Sequence, residues 1–173
     1  MQACELKYEI PQKNLFEKCF NCTLQKQENK LGSACDYQIS EVIGNDKSKR
    51  FENRLGKPLL GLYIEFKTDV RSKKTGNYFY EAQQRFGKYS RWHDSGWYLA
   101  SKQCDLFIVC NSVNGKQTVI LPKSLKRVYE QRHLYRKCDI TDRRKKLDHD
   151  TKDSIAYLVP CKHLDDTAIC TYA

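Results

Sequence analysis

Apolar and polar positions alternate with two different periods along the chain, and the change of period marks the elements. Leu15, Cys19, Cys22 and Lys26 follow helical spacing, with Pro11 in the first turn and Gly32 as a stop, so a first helix is predicted over 11–30. Residues 35–43 alternate well enough for a strand, and 44–57 are polar and charged, as expected of an exposed hairpin connection. Residues 59–68 form the clearest strand. Leu62, Ile64 and Phe66 point one way, and Tyr63, Glu65 and Lys67 the other. A basic turn (69–76) leads to an aromatic-rich strand (78–83), turn signals (86–96) and a short helix (97–103). The continuous apolar run 105–110 predicts a strand buried on both faces. Asn114-Gly115 marks a hairpin before 117–121, a second long helix is expected over 122–137, and a late strand over 154–159 ends at Pro160. Helix, three strands, helix, strand, strand and helix imply an α/β (α+β) fold with a central mixed sheet flanked by helices.

The length of 173 residues suits a single domain with its core in about 14–137 and a basic arm plus C-terminal strand in 138–173. An apolar fraction of 40% and a charged fraction of 30% argue against disorder. No window reaches the ~20 apolar residues of a membrane span. The first residues show no secretory pattern, so the nine cysteines are expected to be reduced thiols of an intracellular protein in the cytoplasm or nucleus of a host. The net charge of +10 points to a polyanionic partner. Its placement says more than its total, since residues 65–91 carry +4 and residues 123–146 carry +7.

Glu65-Phe66-Lys67 is the candidate chemical centre. On a strand, residues two apart share a face about 6.6 Å apart, so a carboxylate and an ammonium stand side by side. Asp36, at the start of the preceding strand, can bring a second carboxylate alongside. Two acids and the carbonyl of Phe66 make a hard-oxygen site for Mg²⁺ or Mn²⁺, with Lys67 placed to assist the attacking water. A plain exposed ion pair is the alternative. Asp46 and Glu52 compete with Asp36 for the place of first acid.

With these residues in view, the chain resembles the PD-(D/E)xK, or restriction-endonuclease-like, nucleases, especially small phage and viral members and Holliday-junction resolvases. The resemblance rests on Tyr63-Ile64-Glu65-Phe66-Lys67-Thr68-Asp69 and Lys74-Thr75-Gly76-Asn77-Tyr78-Phe79-Tyr80-Glu81. Ser95-Gly96, Ser101-Lys102-Gln103-Cys104-Asp105 and Tyr157-Leu158-Val159-Pro160 agree with it. It spans roughly 14–160. It implies a restriction-endonuclease-like core and a metal-dependent DNA endonuclease, in which Asp36 and Glu65 are ligands, Lys67 assists the water, and Glu17 is an added acid from the first helix.

Backbone contacts to DNA are expected from Arg71, Lys73, Lys74 and Asn77 around the basic turn, and from Ser95 and Lys102 at the short helix. Lys123, Lys126, Arg127, Arg143 and Arg144 are expected to add to them in the basic stretch. A homodimer would supply the two sites that paired cuts need. The rival reading is a non-catalytic nucleic-acid-binding protein on the same fold, and RNA is an alternative substrate. Weaker signals are a zinc set from Cys19, Cys22, Cys161 and His163, a His93-Asp94 pair, and base stacking on Trp92 or Trp97.

Overall fold

The fold was described from a computed structural model, which defines residues 9–28, 35–70, 72–87, 90–111, 116–142 and 152–173. Helix α1 (Ile10–Phe20) turns into β1 (Cys22–Lys26) and β2 (Tyr37–Val42), which leads through α2 (Asp46–Leu55) to β3 (Tyr63–Asp69). A helical turn, α3 (Ser72–Thr75), precedes β4 (Asn77–Phe86), β5 (His93–Asp94) and α4 (Gly96–Gln103). After β6 (Leu106–Asn111) and β7 (Gln117–Ile120) come α5 (Pro122–Glu130), a 3₁₀ turn, and β8 (Arg136–Asp142). The chain closes with β9 (Lys152–Pro160), α6 (Cys161–Asp165) and β10 (Cys170–Tyr172).

These strands form two sheets. The larger is mixed, in the order β1-β2-β3-β6-β7-β10, and the smaller is antiparallel, in the order β5-β4-β9-β8. Within the larger sheet, β3 and β6 run parallel, with Glu65 opposite Phe107 and Lys67 opposite Val109. The α/β (α+β) class therefore holds, with helices on the sheet faces.

β6 is buried on both sides, as its apolar run demands: Leu106 and Ile108 join one core, Phe107 and Val109 the other. The first core packs Phe16 and Phe20 of α1 against Ile64 and Phe66. The second packs Trp97 of α4 against Tyr78, Tyr80 and Phe107. Each such buried side chain contributes about 1.5–3 kcal/mol of transfer free energy. Trp97 is thus a core residue, whereas Trp92 is partly exposed beneath the guanidinium of Arg85.

β5, α6 and β10 have no counterpart in the sequence expectation, and three expected elements are changed. The first helix stops at Phe20, because Asn21 adopts φ 49° and reverses the chain; Cys22 and Leu24 are then buried at strand spacing. Pairing with β2 overrides the helical period that 22–26 also satisfies. The supposed hairpin connection is α2, opened by a reciprocal capping box between Asn45 and Ser48, with Phe51 buried against Phe20. The long basic helix ends at Glu130, and its last residues enter β8, held by antiparallel pairing with β9. Residues 136–142 are therefore a sheet edge, not an arm. Asn114-Gly115 lies outside the described residues.

A bulge between Glu81 and Gln83 in β4 brings the start of α4 against Glu81. Gly96 makes this possible. Its φ is +50°, and a β-carbon there would lie 2.8 Å from the β-carbon of Glu81. Gly96→Ala is expected to cost about 1–3 kcal/mol, read as a fall in Tm of roughly 2–10 °C. Unchanged melting would show that the α4–β4 junction relaxes freely.

Candidate functional site

β3 is the strand that carries the site, because it lies between β2 and β6 near the middle of the larger sheet. Its described pairing with β2 ends at Tyr37, opposite Ile64. Asp36 is the next residue out, its backbone N–H donating to the Ile64 carbonyl at 3.0 Å. From there its Oδ2 accepts from the Phe66 N–H at 3.4 Å. Asp36 and Glu65 consequently meet, and Glu65 shares its face with Lys67.

Glu65 is 3% exposed. Its Oε1 is paired with the Lys67 ammonium, and its buried Oε2 takes no hydrogen bond. Burial, and after it the neighbouring Asp36, push its carboxyl well above the usual range, against the pull of Lys67. Asp36 stands within hydrogen-bond reach. Two carboxylates only accept, however, so neither satisfies the other unless a proton or a cation lies between them. Burial opposes the charge of Lys67, but Glu65 and then Asp36 outweigh it, so the ammonium is held above its ordinary range and stays charged. The Lys67 side chain remains 36% exposed and reaches a cleft.

That cleft, about 320 Å³, lies where β3 meets the smaller sheet and is lined by Lys67, Asp69, Phe79, Glu81 and Ile140. Asp69, Phe79 and Ile140 also line a second cleft of about 470 Å³, which extends to Asn77, Arg136 and Lys137. The shared residues place the two clefts side by side, between Lys67 and the basic start of β8.

Other candidate residues take different places. Glu17 does not join the centre: its Oε1 accepts from the Leu24 N–H and from Lys13, both at 2.7 Å, fixing the α1–β1 turn. The helix-end acid beside the site is Glu9. Its carboxyl bonds Tyr37 and feels Asp36 and Lys67, burial raises its pKa, and its Oε1 faces the Lys26 ammonium at 3.7 Å. Gln12, one turn on, reaches Thr68 of β3. Glu9 and Gln12 lie three apart on one helical stripe, and that spacing was the available signal. Of the competing acids, Glu52 accepts from the Leu59 N–H at 2.8 Å, and Asp46 lies in the first turn of α2. Asp36 is the one that meets Glu65.

Among the expected backbone contacts, Lys74, Lys123, Lys126 and Arg127 are exposed, the last three opposite the buried Leu125 and Val128 of α5. Lys102 is exposed but paired with Asp94 at 2.6 Å and laid over Tyr98. Asn77 closes its own turn through the Thr75 carbonyl at 2.7 Å. Ser95 is buried, and its hydroxyl donates to Glu81 at 3.2 Å, so it is a strut between β4 and α4, not a phosphate contact. Arg71, Arg143 and Arg144 lie outside the described residues, as does the side chain of Lys73. The zinc set is not assembled, because Cys22 and Cys161 belong to the cores on opposite sides of the sheet. Among the described residues, no group of three or more His, Cys, Asp or Glu side chains is placed to hold a metal, and no helix is long and apolar enough to cross a membrane.

No family profile, curated protein or solved structure matches this chain.

The raised Glu65 carboxyl fixes the sign of a pH effect. A carboxyl with a higher pKa folded than unfolded contributes stability that is complete below the unfolded value, about 4.5, and is lost as pH rises through the folded one. In EDTA, the wild-type Tm is therefore expected to decline between pH 5 and 8 more than that of Glu65→Gln, by roughly 2–4 °C, equivalent to about 1 kcal/mol. Parallel profiles for the two proteins would assign the decline to other groups.

Proposed function

We propose that this protein is a Mg²⁺- or Mn²⁺-dependent DNA endonuclease. The observation that carries this reading is Glu65 itself, a buried acid with an unsatisfied oxygen, facing a second acid and flanked by a charged lysine. Such a group is costly in the fold unless a cation or proton completes it. Two carboxylates and a backbone carbonyl form a donor set of hard oxygens, the chemistry that Mg²⁺ and Mn²⁺ prefer.

In this reading Asp36, Glu65 and the carbonyl of Phe66 hold the ion, with Glu9 a further acid close by. The ion, when bound, makes water acidic enough to be deprotonated near neutral pH and stabilises negative charge on the phosphate. Lys67 donates N–H bonds towards the cleft, which orients the attacking water and places a fixed positive charge where the phosphate gains negative charge. Asp36, anchored on the Phe66 amide, keeps the two acids in register.

The two adjacent clefts receive the strand to be cut, and Arg136 and Lys137 contact its phosphates beyond the site. Lys123, Lys126 and Arg127 supply a second, sequence-independent grip. A homodimer carrying two such sites would resolve branched DNA, including four-way junctions, by paired cuts. The restriction-endonuclease-like resemblance of the β3 motif supports the same assignment.

Incubation with plasmid and with a four-way junction, in Mg²⁺, Mn²⁺ or EDTA, tests this. Cleavage is expected with either metal and not in EDTA. Lys67→Ala should cleave about 10²-fold more slowly or worse, with binding within about threefold of wild type. Cleavage that survives EDTA overturns the mechanism. Tight binding with no cleavage under any condition would mark a non-catalytic nucleic-acid-binding protein instead. If about six phosphates are neutralised, log binding constant against log salt should fall with slope about −5. Replacing Lys126 and Arg127 by alanine should make that slope shallower by about 2.

A further inference from the structure

Two buried sulfur atoms from distant parts of the chain stand in direct contact. Cys35 and Cys104, 69 residues apart, are 6% and 7% exposed, and their Sγ atoms are 2.8 Å from each other. None of the eight cysteines among the described residues is disulfide-bonded. A disulfide bond measures about 2.05 Å, so the pair needs less than about 1 Å of movement to close.

The surroundings give that bond a consequence. Both cysteines precede an aspartate, and both aspartates are fixed to β3. The Asp36 N–H donates to the Ile64 carbonyl at 3.0 Å, and the Asp105 N–H to the Tyr63 carbonyl at 2.9 Å. Asp105 is held further by Lys57 at 2.5 Å and by the Tyr63 N–H at 3.0 Å. Cys104 therefore sits on an anchored point at the start of β6, whereas Cys35 belongs to the stretch that carries Asp36 to Glu65.

We propose that Cys35 and Cys104 are a reversible oxidation site, forming an intramolecular disulfide that staples the start of β2 to the start of β6 across β3. Hydrogen peroxide is the oxidant. One thiolate attacks the peroxide, expelling hydroxide and becoming a sulfenic acid. The second thiol then attacks that sulfur, forming the S–S bond and releasing water. Two thiols are thus oxidised by two electrons, and one peroxide is reduced to two waters. A dithiol reductant such as dithiothreitol reverses the bond by exchange. The staple fixes Asp36 beside Glu65, a consequence for the metal site that rests on the reading above; the bond itself does not.

The test treats the folded protein with hydrogen peroxide, then denatures it, blocks remaining thiols with N-ethylmaleimide and maps peptides by mass spectrometry. A linked Cys35–Cys104 peptide is expected, 2 Da lighter than the two reduced peptides, and absent after dithiothreitol. Recovery of both residues in the alkylated form, or linkage to other cysteines in their place, overturns the proposal. Melting supplies a second readout. Closing a loop of this length should raise the Tm of the oxidised wild type by roughly 5–15 °C, while peroxide leaves Cys35→Ser and Cys104→Ser without that rise. Oxidised wild type that carries the link but melts no higher than the reduced protein would overturn the staple. Because neither readout uses DNA or metal, failure of the nuclease assignment leaves this test intact.

Discussion

The structure turns on an unfavourable interaction, the burial of the Glu65 carboxyl in the middle of a mixed sheet. A glutamate at that position adds nothing to packing that an apolar residue would not improve, and desolvation opposes its charge. Lys67 compensates one oxygen, and Asp36 makes the other worse. What looks like a defect in the core is offset by two well-formed aromatic and aliphatic cores on either side of the sheet. Those cores hold β3 and β6 in register, so the acid cannot turn outward to water.

The two sheets divide the labour. The larger supplies the acids and lysine from one strand and the end of its neighbour. The smaller stands opposite, and its β4 and β8 form the far wall of the cleft. The bulge in β4, the glycine at the start of α4, and the ties from Ser95 and Ser154 to Glu81 keep that wall close to β3. Access to the cleft is thus set by packing between the layers, whereas the charges within it are set by one strand.

The legibility of each element in the sequence followed its physics. β3, β6, α4 and β9 could be read because burial dictates their side chains: alternation where one face is polar, a continuous run where both are covered. The Asp36, Glu65 and Lys67 constellation followed from the same periodicity. α2 was not legible, since Phe51 and Leu55 are its only apolar residues and make a one-turn stripe, and its capping box Asn45–Ser48 lacks the usual Glu or Gln. β8 was missed because it is a mostly exposed edge strand, held by backbone bonds that hydropathy does not record. Glu9 was missed for a third reason. Its three-residue spacing from Gln12 shows a shared helical face, but its closeness to Asp36 depends on how α1 packs, which that spacing does not fix.

The parallel pairing of β3 with β6 also governs when the site can exist during folding. Ile64 pairs with Leu106, and Asn77 with Pro160, so both sheets close over long stretches of chain. Contacts of such sequence separation place folding towards the slow, millisecond-to-second end of the range for single domains. On a ribosome, β3 would emerge well before β6 and remain an unpaired edge on that side. The acidic centre is therefore assembled late, after most of the chain that packs around it has been made.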